Sequence, residues 1–81
     1  MIKNNIHDRV VTLLSETLQI PRQEIGGDLQ FGDLPQWDSM GHMDVMLRLE
    51  TDYGIVLDGD TISALTSLSA ICKYLEEHGH A

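Results

Sequence analysis

Apolar residues recur at helical spacing near both ends and in the middle of the chain, and lose that spacing between the first and second of these stretches. Ile6, Val10, Leu13, Leu14 and Leu18 fall every three or four positions, the interval that lines one face of an α-helix. Asn5 is placed to cap this helix, with Asp8 as an imperfect capping box, and the helix should end by Pro21. From Pro21 to Trp37 the period fails. Gly26, Gly27, Gly32 and Pro35 mark a long loop, while Ile25, Leu29, Phe31, Leu34 and Trp37 predict that it is packed, with a short turn at Arg22 to Ile25. Asp38 stands where an N-cap belongs. Met40 to Tyr53 then reads as a second helix closed by Gly54, a residue that tolerates the left-handed conformation. Ile55, Val56 and Leu57 read as an extended connector, because no other segment offers a partner strand. Asp60 to Leu65 suits a short helix, and Thr66 or Ser67 caps a last one carrying Leu68, Ile71, Cys72 and Leu75, with Gly79 as its stop. The expectation is an all-α fold: a small antiparallel four-helix bundle of three longer helices and one short helix, with a long structured loop between helices one and two.

On a wheel of roughly 100° per residue, Val45, Met46, Leu49 and Tyr53 share one arc of the second helix, as a core-facing stripe should. Met40, Met43 and Leu47 widen the apolar surface to about 220°, more than one face of a small bundle buries. Any one of these methionines read alone is simplest as core. The width of the stripe predicts instead that part of it stays exposed, rimmed by Asp44, Glu50 and Asp52, as a contact surface to which unbranched methionine adapts.

Composition narrows what such a molecule does. With 81 residues the chain suits a single domain, residues 1–81, with little interior for a cavity of enzyme size. Five Lys and Arg against 13 Asp and Glu give a formal charge of −8, which repels nucleic acid and favours basic protein surfaces. Cys72 has no second cysteine to pair with, and no basic-then-apolar leader or long apolar run is present, so a cytoplasmic monomer without a membrane role is expected. Cys72 falls on the apolar stripe of the last helix and reads as a buried structural thiol. Asp38, Ser39 and His42 crowd one helical turn with no sign of an oxyanion hole, so no catalytic residues are assigned, and His42 is taken as a surface residue. His7, His78 and His80 lack metal-ligand spacing, so no metal is expected. Gly41 weakens a helix start by roughly 1 kcal/mol relative to alanine, which suggests close approach by a partner or an attached group.

Ser39 is the candidate for chemistry. It lies in the first turn of the second helix, where unpaired N–H groups and the positive end of the helix dipole favour an anion. An arbitrary Asp-Ser pair before a helix is more often just a cap, so the wider pattern decides. Gly27-Asp28-Leu29, Phe31-Gly32-Asp33-Leu34, Trp37-Asp38-Ser39-Met40-Gly41, Glu50 and Tyr53-Gly54-Ile55, with Thr66-Ser67-Leu68 at the last helix, resemble the acyl carrier proteins over nearly the whole chain. The resemblance implies that Ser39 receives 4′-phosphopantetheine from coenzyme A through a magnesium-dependent phosphopantetheinyl transferase. It also implies that Asp38 helps organise that complex and that acyl groups ride on the arm as thioesters. Basic partner enzymes, among them a loading enzyme, a ketosynthase or an acyltransferase, would meet Asp44 and Glu50, with Met40, Met43 and Leu47 as apolar contacts. Leu34-Pro35-Gln36-Trp37, Arg48 and Thr51 depart from the usual fatty-acid carriers, and Trp37 with Gly41-His42-Met43 looks more like free-standing carriers of polyketide or other specialised pathways. An aminoacyl carrier and an unmodified acidic interaction module are the alternatives.

Overall fold

The first periodic run folds as α1, Asn5–Leu18, and its stripe of Ile6, Val10, Leu13, Leu14 and Leu18 is buried, together with Val11. The computed structural model describes residues 5–78, so the Asn5 side-chain cap, the Gly79 stop and His80 lie outside the described residues. Gln19 ends α1 in the left-handed region (φ 57°), and the amide of Ile20 closes the turn on the Ser15 carbonyl at 3.1 Å.

Beyond α1 runs the long loop. It contains one 3₁₀ turn, Arg22–Glu24, and of its apolar punctuation Ile25, Leu29 and Trp37 are buried, as is Ile20 just before it. Leu34 is partly buried, whereas Phe31 is exposed. Arg22 ties the loop back to α1 through Asp8 at 2.7 Å and through Thr12. The loop is also fastened to the far end of the chain. The Phe31 amide donates to the Thr66 carbonyl at 2.8 Å, the Leu68 amide to the Leu29 carbonyl at 2.8 Å, and Gln30 and Ser67 form an isolated antiparallel bridge.

The remaining elements are α2, Ser39–Tyr53, α3, Gly59–Ala64, and α4, Leu68–Glu77. Each begins with a side-chain cap. Asp38, Asp58 and Ser67 accept the amides of Gly41, Thr61 and Ala70 respectively. Gly54 closes α2 with φ 67°, a conformation that a side chain would strain. Ile55, Val56 and Leu57 form the extended connector without pairing. The described residues are thus all-helical, three longer helices and one short, with no strand. α1 packs against both α2 and α4, and Val45, Met46, Leu49, Leu68, Ile71 and Leu75 complete the core beneath it. Burying each such side chain is worth about 1.5–3 kcal/mol. No residue of α3 is fully buried, but Ile62 packs half-buried against the core and Leu65, at the C-cap, is buried.

Candidate functional site

Asp38 is extended (φ −103°, ψ −166°), and its Oδ1 accepts the Gly41 amide at 2.9 Å while its carbonyl accepts the His42 amide at 2.7 Å. The aspartate therefore both caps and starts α2. Because it does so, Ser39 enters as the first helical residue with its side chain uninvolved in capping, and Asp38, Ser39 and Met40 are all exposed. A hydroxyl here faces solvent at the positive end of a 15-residue helix, where an anion gains about 0.3–1 kcal/mol. That gain orients a phosphoester without binding it tightly, so a group held here needs a covalent bond. An exposed serine outside the cap and a dipole of the right sign fit a serine-linked phosphate.

Beneath this exposed edge the packing is tight. Gly41 is buried, and a Cβ there would stand 2.2 Å from the Gln36 carbonyl oxygen and 2.9 Å from Leu18 Cδ2. The glycine is thus explained within the fold, where the loop backbone and the end of α1 press against the first turn, rather than by approach of a partner or an arm. His42 is a second correction. It is only 6% exposed, not a surface residue. The Trp37 indole N–H donates to its Nδ1 at 3.0 Å, and its Nε2 lies 2.8 Å from the Ile62 carbonyl.

The apolar stripe of α2 divides as its width predicts. Val45, Met46 and Leu49 are buried, whereas Met40, Met43 and Leu47 are 78%, 41% and 50% exposed. Asp44 and Glu50 are exposed beside them. Arg48, the cationic exception on this helix, bridges Glu16 of α1 at 2.9 Å and Asp52 at 3.0 Å. The Glu16 hydrogen bond first, then that to Asp52, raises its pKa above the ordinary guanidinium value. Its charge is therefore committed to acidic neighbours, and Asp52 belongs to that pair as well as to the rim. Sequence reasoning missed two further exposed apolar residues, Phe31 and Val56. For Val56 a signal was present, since an extended backbone turns successive side chains to opposite sides and its neighbour Ile55 is buried. Phe31 lies in an aperiodic loop that carries no such signal.

Cys72 is partly buried, and burial first, then the charges of Glu76 and Asp28, push its thiol up to about 11. Among the described residues no group of three or more His, Cys, Asp or Glu side chains is arranged to hold a metal ion, and no helix is long and apolar enough to cross a membrane.

Residues 8–75 match the family model described as the phosphopantetheine attachment site. The chain is similar to an acyl carrier protein of Rickettsia bellii, 21% identical over 75 residues that make up 93% of each chain. It is similar also to one of Rickettsia massiliae, 26% identical over 91% of this chain and 86% of the relative. A third, from Lactobacillus johnsonii, is 24% identical over 96% of this chain and 98% of the relative. No solved structure matches significantly.

Proposed function

The chain belongs to the phosphopantetheine-attachment family of acyl carrier proteins, and on that premise we propose that Ser39 is its point of attachment. Members of this family are carriers rather than enzymes, and their cofactor is covalently attached 4′-phosphopantetheine. The observation that carries the reading is the exposed hydroxyl at the first residue of α2, released from capping by Asp38. The attached group supplies a thiol on which acyl groups travel as thioesters. The chain's own residues present the anchor. Asp38 fixes the first turn and stands next to the hydroxyl where a transferase must bring coenzyme A.

The exposed strip of Met40, Met43 and Leu47, with Asp44 and Glu50 at its edge, supports a docking face for basic partner enzymes: the phosphopantetheinyl transferase, a loading enzyme, and acyl-processing enzymes such as a ketosynthase or acyltransferase. The same proposal takes residues 1–81 as one carrier domain, an antiparallel four-helix bundle acting as a cytoplasmic monomer in fatty-acid, polyketide or related biosynthesis. Incubation with coenzyme A and a broad-specificity transferase is expected to add one phosphopantetheine to the wild type and none to Ser39→Ala, read by intact mass, with the same circular dichroism for both. Incorporation into Ser39→Ala would overturn the assignment.

A further inference from the structure

Both ring nitrogens of His42 are engaged, and their partners leave no choice of proton. An indole N–H only donates, so Nδ1, 3.0 Å from the Trp37 nitrogen, must be bare. A carbonyl only accepts, so Nε2, 2.8 Å from the Ile62 oxygen, must carry the hydrogen. The neutral Nε2–H tautomer alone satisfies both partners. Three segments meet at this ring: the end of the long loop, the first turns of α2, and α3, whose Ile62 carbonyl is among the last four that a helix leaves without an intrahelical acceptor role. Phe31 adds its ring edge-on, with centroids 5.4 Å apart. Trp37 precedes Ser39 by two residues and His42 follows it by three, so the imidazole clasps the chain on both sides of the hydroxyl.

We propose that His42 is a positioning residue for the modification of Ser39, its tautomer-locked ring holding Trp37 and α3 so that the hydroxyl is offered to the transferase in one orientation. The proposal rests on Ser39 being the attachment residue. Two measurements test it. In nitrogen-15 spectra of the unmodified protein, His42 should show a bare Nδ1 and a protonated Nε2, and the Trp37 indole proton should exchange slowly. A proton on Nδ1, or averaging between the two tautomers, overturns the proposal. In transfer kinetics, folded Trp37→Phe should lose about five- to tenfold in kcat/KM, the effect of about one hydrogen bond, and folded His42→Phe, which also gives up the Ile62 carbonyl, at least as much. The loss should fall on kcat with KM for coenzyme A unchanged, and the double variant should be no worse than His42→Phe alone, since the Trp37 bond is already lost there. Wild-type rates in folded variants, or losses that multiply in the double, overturn it. If His42→Phe does not fold, Trp37→Phe and the spectra still decide. Failure of Ser39 itself is seen separately, as absent incorporation in the wild type or persistent incorporation in Ser39→Ala, and leaves the tautomer measurement intact.

Discussion

α2 and α4 both begin beside a serine, and the two serines have opposite fates. At α4 the serine is the cap. Ser67 Oγ accepts the Ala70 amide at 3.1 Å, Asp28 takes the Ser69 amide at 3.0 Å from across the loop, and the next residue, Leu68, is buried. At α2 an aspartate caps, and the serine stands one residue further in, exposed and followed by an exposed methionine. The residue type is the same in both places. What differs is which side chain answers the first amides of the helix, and a shift of one position separates a structural hydroxyl from an available one.

Substitutions at each start test this contrast, and the largest effect is expected at Gly41→Ala. The new methyl would meet loop backbone at Gln36, which has little room to yield, and urea denaturation should show a loss of about 1–3 kcal/mol. An unchanged midpoint would mean that the α2 start is not braced from below. Ser67→Ala should cost about 1 kcal/mol by the same measurement while phosphopantetheine incorporation proceeds as in the wild type. Impaired incorporation there would erase the distinction between the two hydroxyls. The smallest effect concerns acid. The Ser69 backbone amide, then its side chain, holds the Asp28 carboxyl below its ordinary value of 3.8. A carboxylate with a depressed folded pKa stabilises above its unfolded value and loses that contribution as pH falls through the folded one. The Ser69 amide resonance should therefore shift below pH 3.8, and the shift should vanish in Asp28→Asn.

The helices were legible because their signals are local: a repeat of three or four residues, a capping side chain, a glycine at Gly54. The split of the α2 stripe was legible too, since Met40, Met43 and Leu47 fall outside any arc that one core could cover. The environment beneath the site was not. His42 finds Trp37 five residues back and the Ile62 carbonyl twenty residues ahead, and Gly41 yields to a carbonyl of the loop. Asp28 caps a helix 41 residues away, and Arg48 reaches Glu16 across 32. Such partnerships depend on how the loop is folded back, and spacing along the chain does not encode it. The aspartate before the serine was readable as a cap. That its neighbours lock a tautomer was not.

The muted thiol of Cys72 has a practical corollary. With its ionisation displaced to about 11, on the order of one molecule in ten thousand bears a thiolate there at pH 7. Maleimide or iodoacetamide dyes should thus decorate the tether and spare the scaffold, giving single-site fluorescent conjugates without first mutating the native cysteine.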